Sequence, residues 1–371
     1  FLPKGNSLKS KNHFIFLNKQ KKFKQDVQWN KIINSKLWSY NLNYFDFINS
    51  VSNKRNTEIS QDLLVDWIRK NNTKQNIGWD AYPTSLRIVN IIKWLLQNNI
   101  TSDNFNLIVK SLYEHGDYLS KNIEYHLKGN HLIANAKALF FCGLFFEDKI
   151  SKKWLDKSEK ILINELKIQI LDDGAHYELS PMYHSIIIED LIDILELIRI
   201  YKYQNPILIK IIKTKVKKML YWLEEIRHPN YEIPFFNDST FGIAQNIKSL
   251  KKYASKFGLS KGLKRKKNSL ILPSGYAVFN FENVFLICDV GNIGPDEQPG
   301  HAHADTLSFE ASIDRYKFIV NSGVSTYEDS DLRHFQRSTA AHSTLELNKI
   351  NSSEVWKSFR VAKRANVKIL N

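Results

Sequence analysis

The sequence has 371 residues, a net charge of +15, 43% hydrophobic residues and two cysteines, Cys142 and Cys288. Its length predicts two domains, its cysteines exclude a disulfide framework, and no apolar run reaches the ~18 residues that a membrane span needs. The basic charge favours an acidic partner, and because zinc-finger, RNP and basic-heptad patterns are absent, we expect an acidic polymer other than nucleic acid.

Residues 1–36 are rich in Lys and Asn and predict a polar, loosely structured lead-in. The chain begins without an initiator Met or a signal-peptide h-region, and it ends within a pattern typical of a strand. We therefore expect both ends to be truncations of a longer gene product.

Helical patterning dominates residues 37–265, where apolar residues recur at spacings of three and four. The clearest segments are Leu63–Ile68, Ile88–Leu96, Phe105–His115, Leu132–Leu144, Trp154–Leu166, Ile186–Leu195 and Ile207–Trp222. Short links rich in Asn, Asp, Gly and Pro join them, and no repeat of fixed period is present. The pattern predicts a helical bundle or a closed α/α ring, and it disfavours a solenoid.

Residues 266–371 form the third predicted region, which consists of short alternating stretches typical of an antiparallel sheet or sandwich. These stretches are Tyr276–Phe279, Val284–Cys288, Lys317–Val320 and Ser343–Leu347. Alternation over residues 301–313 predicts a further strand, on which His301 and His303 point to one face with Asp305 in line.

Two imidazoles side by side suit either a metal ion or proton transfer, because neutral imidazole does both near neutral pH. His342 precedes a predicted strand and can join His303 on a metal. The alternative is a set of structural histidines that only form hydrogen bonds, and the short motif alone does not decide between them.

Polar stretches in the helical region provide further candidates. Trp79, Tyr82 and Arg87 suit a sugar platform with a cation for an acid group, but the same stretch can simply be a capped helix entry. Asn130 and His131 are predicted at a helix N-terminus, which favours a carboxylate. The alternative is that Asn130 only caps the helix and His131 satisfies a buried backbone group.

A third stretch surrounds Tyr183. Ser180 is predicted to cap a helix that has Pro181 in its first turn, so that Tyr183 and His184 lie near a loop. A tyrosine close to histidines and to Glu178 suggests proton transfer, although an aromatic core contact is the simpler alternative.

In this order, these stretches resemble the heparinase II/III-like polysaccharide lyases over nearly the whole chain from Trp38. The stretches that carry the resemblance are Tyr40–Asp46, Tyr82–Arg87, Gly129–Leu132, Glu178–His184, Gly300–Phe309 and Arg337–Thr344. The resemblance implies an α+β multidomain fold, with an incomplete (α/α) toroid followed by an antiparallel β-sandwich domain that is truncated at the C-terminus.

The resemblance also implies β-elimination on a uronic acid-containing glycan. Asn130 and His131 would neutralise the uronate, Tyr183 would protonate the leaving oxygen, and His301 would be the partner base. The expected substrate-binding residues are Trp79, Tyr82, Arg87, His126, Glu178, His184 and Arg337.

The expected metal ligands are His303, Asn321 and His342, which would hold one structural divalent ion, Zn or Ca. The family commonly has Asp where this chain has Asn321, which lacks a charge and would hold the ion less tightly. No organic cofactor is required.

Two alternatives to a lyase stay open. One is a non-catalytic glycan-binding or surface-polysaccharide assembly protein on the same fold. The other is a glycoside hydrolase, for which Asp80, Glu178 and Asp305 offer carboxylates. The resemblance suggests a periplasmic or cell-surface location. The oligomeric state, the glycan and its sulfation are not predicted.

Overall fold

The structure is a computed structural model that describes residues 1–51, 57–98, 100, 103–265 and 269–370. The chain forms two compact units. Unit 1 comprises Phe1–Leu162 and Glu196–Tyr203, and unit 2 comprises Ile163–Leu195 and Gln204–Asn371. The predicted boundary between the helical and strand domains adjoins residues 266–268, which lie outside the described residues.

The predicted helical patterning of the first two thirds of the chain is confirmed. The helices are α1 Lys36–Tyr44, α2 Thr57–Lys70, α3 Ala81–Gln97, α4 Asp103–Lys121, α5 Gly129–Phe145, α6 Lys149–Gln169, α7 Pro181–Tyr201, α8 Pro206–Ile226, α9 Ile247–Ser255 and α10 Asp331–Arg337. As predicted, Pro181 begins α7 and Ser180 Oγ accepts the Tyr183 N–H at 3.2 Å, which caps the helix. In the described ranges, no helix combines the length and the apolar character that crossing a membrane requires.

The first 36 residues are more ordered than the sequence suggested. They contain an antiparallel sheet of β1 Leu8–Ser10, β2 His13–Phe16 and β3 Lys19–Lys22. The prediction of a loosely structured lead-in is wrong for this sheet. Phe14, Phe16 and Trp29 are almost completely buried, so sparse aromatic residues anchor a segment that is otherwise rich in lysine.

An antiparallel sheet follows the helices, as predicted. Its strands, in spatial order, are β4 Leu270–Ile271, β5 Tyr276–Phe281, β6 Val284–Asp289, β7 Phe309–Ile313 and β8 Tyr316–Ile319. A two-stranded hairpin of β9 Val355–Trp356 and β10 Arg360–Val361 lies later in the chain. On the buried face of the main sheet, Phe285 pairs with Ser312 and Ile287 pairs with Glu310.

The segment that carries the two histidines is a loop and not a strand. Strand β7 begins only at Phe309, so the predicted strand is wrong for residues 301–308. The backbone of this loop is satisfied by other segments. The Asp238 N–H donates to the His301 carbonyl at 3.0 Å, and the Ala304 N–H donates to the Arg337 carbonyl at 2.9 Å. Alternation of residue types did not report burial in this loop either, because Leu307 is 56% exposed while Ala302 and Ala304 are buried.

The predicted strand over residues 343–347 is also wrong. This stretch is irregular, with an isolated bridge between Leu347 and Ile350. Leu345 and Leu347 are 75% and 66% exposed, so the alternating apolar residues lie in solvent and do not form one face of a sheet.

Candidate functional site

Tyr183 and His301 form a close pair of ionisable side chains in unit 2. Their rings stack with centroids 4.0 Å apart, and Tyr183 Oη lies 3.1 Å from Tyr327 Oη. Tyr183 projects from the first turn of α7, and His301 projects from the loop before β7. The side chain of His301 is 14% exposed, so this pair combines proton-transfer groups with access to solvent.

A buried carboxylate, Asp238, holds the histidines of this loop. Its Oδ2 lies 2.8 Å from His301 Nδ1, and its Oδ1 lies 2.8 Å from His303 Nε2. Arg333 binds both oxygens, at 2.5 and 2.8 Å, in a bidentate ion pair. Burial alone would raise the pKa of Asp238, but Arg333 and the two histidines hold that pKa well below its usual range.

His303, Asp305 and His342 form a cluster that could hold a metal ion. One donor atom from each lies within 4.8 Å of the other two, and all three side chains are buried. Burial lowers the pKa of His303 to about 3, so this imidazole is neutral at physiological pH, as a metal ligand must be. Burial raises the pKa of Asp305.

The hydrogen bonds around the two histidines fit a bound cation. His303 Nε2 faces the ionised Asp238, and His342 Nδ1 lies 2.7 Å from the Ser338 carbonyl, so each of these nitrogens must carry the hydrogen. The remaining nitrogens, His303 Nδ1 and His342 Nε2, then direct lone pairs at each other across 3.0 Å. A cation between the lone pairs would resolve this conflict, and carboxylate or carbonyl partners on the outer nitrogens are typical of metal-ligating histidines.

Asn321, the third predicted metal ligand, has other partners. Its Oδ1 accepts the Ser343 N–H at 2.9 Å, and its backbone N–H donates to Glu310 at 3.1 Å. Its buried Nδ2 has no hydrogen-bond partner among the described residues. The structure brings the Asp305 carboxylate to the two histidines, so an acidic donor is available despite the asparagine.

Two predicted substrate-binding residues near Tyr183 are buried. His184 is fully buried, and its two nitrogens lie 3.0 Å from the Met219 carbonyl and 3.1 Å from the His176 N–H. Burial lowers the pKa of His184 to about 3. Glu178 is 3% exposed and lies 3.7 Å from His176. Both side chains support the start of α7 from inside and do not offer a surface to a ligand.

Arg337, also predicted to bind substrate, instead holds the loop of residues 301–308, called here the histidine loop. It is 1% exposed, and its guanidinium donates to the Ala302 carbonyl at 2.9 and 3.2 Å. Ala302 lies between His301 and His303, so Arg337 fixes the backbone between them. Thr339 continues this clamp by donating to the Ala304 carbonyl at 2.7 Å.

In unit 1, Asn130 and His131 lie in the first turn of α5, which begins at Gly129, two residues earlier than an Asn130 cap would place it. Lys128 and Gly129 both have left-handed φ values, 52° and 54°, and they turn the chain into the helix. His131 stacks on Tyr82 at 4.3 Å, and its Nδ1 lies 3.3 Å from Glu124 Oε1. The first turn of a helix is a favourable place for a carboxylate.

The other unit 1 candidates differ in exposure. Trp79 is 3% exposed, and Arg87 is completely buried, with its guanidinium 4.0 Å above the Trp67 ring. Tyr82 is partly exposed and His126 is exposed. The structure therefore assigns Trp79 and Arg87 to the core of unit 1, and it leaves Tyr82 and His126 accessible. Asp80 accepts a hydrogen bond from Tyr40.

The sequence did not point to Asp238, Arg333 or Tyr327. Asp238 lies in the polar segment Asn237–Ser239, directly after the apolar run Pro234–Phe236. This change from apolar to polar residues could have indicated Asp238, because polar residues that follow a buried run often line a site. Arg333 and Tyr327 gave no comparable signal, since neither follows an apolar run.

Comparisons with known proteins agree with the arrangement. The chain matches the family model Heparinase II/III N-terminus over residues 16–264 and the family model Heparinase II/III-like, C-terminal over residues 264–371. A heparin-sulfate lyase from Bacteroides thetaiotaomicron is 27% identical over 341 residues, which cover 78% of this chain and 48% of that protein. A heparin-sulfate lyase from Pedobacter heparinus is 28% identical over 261 residues, 66% of this chain and 39% of that protein.

Solved structures show the same fold. A crystal structure of heparinase III has a TM-score of 0.71 and 21% identity, with 90% of this chain and 60% of that chain covered. The heparan sulfate lyase HepC from Pedobacter heparinus has a TM-score of 0.58 and 22% identity, with 93% and 61% covered. The predicted fold class, helices followed by an antiparallel β domain, is confirmed. The chain spans less than half the length of each of these two heparin-sulfate lyases.

Proposed function

Because the chain belongs to the heparinase II/III family, we propose that it acts as a polysaccharide lyase on an acidic, uronic acid-containing glycan. The observation that carries this proposal is the Tyr183–His301 pair, in which a phenol and an imidazole stack at 4.0 Å at a partly exposed position. The names of the related lyases and the net charge of +15 also support an acidic glycan.

The proposed reaction is a β-elimination. A base removes the proton on C5 of the uronate, the electron pair forms the C4–C5 double bond, and the C4–O glycosidic bond breaks. The leaving oxygen takes a proton from an acid, so that the products are a 4,5-unsaturated sugar and a free hydroxyl. Water and redox cofactors take no part in this balance.

Tyr183 and His301 are the proposed acid and base. The Tyr183 phenol gives its proton to the leaving oxygen. His301 accepts the C5 proton, or it assists Tyr183 in accepting that proton. With some substrate stereochemistries Tyr183 also removes the C5 proton. Each positioned proton-transfer group typically contributes ~10²–10⁴-fold to the rate.

The proposed carboxylate-neutralising residues are Asn130 and His131. Removing a proton next to a carboxylate builds an enolate-like dianion, so groups that stabilise this charge matter most to the rate. Their position in the first turn of α5, where backbone N–H groups are unsatisfied by the helix, supports this role. Tyr82, which stacks on His131, is a proposed sugar contact.

We assign the His303, Asp305 and His342 cluster to a structural metal ion. Two imidazoles and one carboxylate favour Zn²⁺ over Ca²⁺, which prefers oxygen ligands. When bound, the ion would hold the histidine loop to the segment that carries His342. The proposed location, by family resemblance, is the periplasm or the cell surface.

The decisive experiment measures the ultraviolet absorbance of the unsaturated product on heparan sulfate, hyaluronan, alginate and bacterial capsular glycans. We expect Tyr183→Phe and His301→Gln to lower kcat by ~10²–10⁴-fold on any glycan that is cleaved. The matched controls are Tyr253→Phe, a buried tyrosine whose hydroxyl binds Asp193, and His13→Gln, a histidine in β2. Both controls should keep the activity of the parent protein.

Three outcomes contradict the proposal. Full activity of either site variant would reject the assigned roles of Tyr183 and His301. Glycan binding without any absorbance change across the panel would instead favour a non-catalytic glycan-binding protein. Saturated products that carry new reducing ends would indicate a hydrolase.

A further inference from the structure

Asp238 is the residue on which both histidines of the loop converge. It lies between α8 and α9, 63 residues before His301 in the chain. Its carboxylate is completely buried, and each of its oxygens serves one histidine and one nitrogen of Arg333. No oxygen of Asp238 is therefore left to face a substrate, and its influence must pass through the histidines.

The bonding around Asp238 decides which nitrogen of His301 carries the hydrogen. A buried carboxylate in a bidentate ion pair with Arg333 stays ionised and can only accept hydrogen bonds. His301 Nδ1, at 2.8 Å from Asp238 Oδ2, must therefore be the donor. The neutral ring then has its lone pair on Nε2, at the opposite edge, which is the only ring atom that can accept a proton.

The ring of His301 is also fixed in orientation. The Tyr183 ring stacks on its face at 4.0 Å and 28°, and Phe359 meets it edge-on at 6.1 Å and 88°. Turning the imidazole by 180° would move Nδ1 away from Asp238 and leave a buried carboxylate oxygen with one partner fewer. Such a loss is costly in a buried site, so one ring orientation is strongly preferred.

The backbone of Asp238 ties the two members of the acid–base pair together. Its N–H donates to the His301 carbonyl at 3.0 Å, and its carbonyl accepts from Ser180 Oγ at 2.7 Å. Ser180 Oγ in turn accepts the N–H of Tyr183 at 3.2 Å. One residue thus contacts both the start of the helix that carries Tyr183 and the loop that carries His301.

We infer that Asp238, held by Arg333, is the positioning residue of the acid–base pair: it fixes the Nδ1–H tautomer of His301 and presents Nε2 as the proton acceptor next to Tyr183. The inference rests on the proposed lyase function and deepens it. A comparable carboxylate orients the histidine of serine proteases, where replacing it by asparagine lowers kcat about 10⁴-fold because the tautomer is wrong.

The tautomer can be measured directly in the unmodified protein. The full chain is labelled with ¹⁵N-histidine, and long-range ¹H–¹⁵N correlations distinguish Nδ1–H from Nε2–H rings at mildly alkaline pH. The chain has 11 histidines, so His301 is assigned by the signals that disappear in His301→Gln. We expect the Nδ1–H tautomer for His301. An Nε2–H tautomer would overturn the inference whether or not the Asp238 variants fold.

Kinetics provide the second test. Asp238→Asn should lower kcat by up to ~10⁴-fold with little change in KM, because Asp238 orients a base and does not touch the substrate. Asp238→Glu keeps a carboxylate and should recover part of the loss. The control is Asp193→Asn, because Asp193 is equally buried, accepts a hydrogen bond from Tyr253 and lies about 15 Å further along α7 from Tyr183.

The outcomes separate this inference from the proposed function. An active enzyme in which folded Asp238→Asn keeps its kcat, or loses no more than Asp193→Asn, would overturn the positioning role and leave the lyase function standing. A protein that cleaves no glycan but shows the Nδ1–H tautomer would reject the lyase function and support the geometry. Circular dichroism establishes that each variant is folded before its rate is compared.

Discussion

Unit 1 and unit 2 each bury an arginine completely, and the two arginines have opposite surroundings. Arg333 in unit 2 forms a bidentate ion pair with Asp238, and this carboxylate outweighs the effect of burial and raises the pKa of Arg333. Arg87 in unit 1 donates to the Asn43 carbonyl and the Thr84 hydroxyl and stacks on Trp67. Burial lowers the pKa of Arg87 to about 9.

The comparison separates two uses of a buried cation. Arg333 keeps Asp238 ionised, and that negative charge organises His301 and His303. Arg87 meets neutral carbonyl, hydroxyl and aromatic groups, so its charge organises no other ionised group among the described residues, and the guanidinium serves as a packing and hydrogen-bonding centre. Burial of an arginine therefore does not by itself mark the candidate site. Arg333 is distinguished because the partner it binds is a charge that His301 and His303 share.

Replacing each arginine by methionine should give the largest difference in stability between the two units. Arg333→Met leaves the buried charge of Asp238 without its main partner, which should cost about 3–5 kcal/mol of the free energy of unfolding. Arg87→Met leaves neutral acceptors unpaired and should cost only about 1–3 kcal/mol. Urea denaturation followed by circular dichroism measures both losses. Equal losses, or a larger loss for Arg87→Met, would contradict the distinction.

Lowering the pH should destabilise both units, because each contains a buried neutral histidine. Burial lowers the pKa of His184 in unit 2 to about 3, and burial together with Arg87 lowers the pKa of His115 in unit 1 well below its usual range. Both are neutral in the folded protein and bind protons on unfolding below pH ~6.5, so their contribution to stability is complete above that pH and is lost as the pH falls.

By pH 5 the loss should be about 2 kcal/mol for His184, and His115 should add to it in the same direction. Denaturation curves from pH 8 to pH 5 measure the loss, and His184→Gln should reduce the pH-dependent part by about 2 kcal/mol. A pH slope that is the same in His184→Gln and in the parent protein would show that His184 is not the group responsible.

Binding of a metal ion should change unit 2 and leave unit 1 unchanged. Adding Zn²⁺ to metal-free protein should stabilise it by about 2.7 kcal/mol at a hundredfold excess over Kd. Hydrogen exchange should slow in the histidine loop and around His342, with no change in unit 1. His342→Ala should abolish the effect, and His13→Ala should preserve it. Equal stabilisation of both variants by Zn²⁺ would reject the cluster as the binding site.

The sequence alone determined the order of the main elements and the family. Apolar spacings of three and four predicted the helices, because a helix must bury one face whatever its neighbours are. Ser180 and Pro181 predicted the start of α7, since capping is local chemistry. The motifs around Tyr183 and His301 also pointed to a proton-transfer site before any contact between them was known.

Residues whose meaning depends on burial could not be interpreted from the sequence. Trp79 and Arg87 suit a sugar platform as well as a core, and only packing shows that both are buried. Alternation at residues 301–308 suited a strand, yet the backbone there bonds to residues 237–238 and to Arg337. Hydrogen bonding with distant segments, and not the local pattern, decides the backbone conformation of this loop.

Tertiary structure alone revealed the group that connects the site. Asp238 lies 63 residues before His301 and 95 residues before Arg333, and nothing in its local sequence specifies either partner. Folding buries these partners together. A buried charge is stable only where an opposite charge and hydrogen-bond donors surround it. The sequence pointed to Tyr183 and His301 as candidates, and the fold supplied the carboxylate that contacts His301.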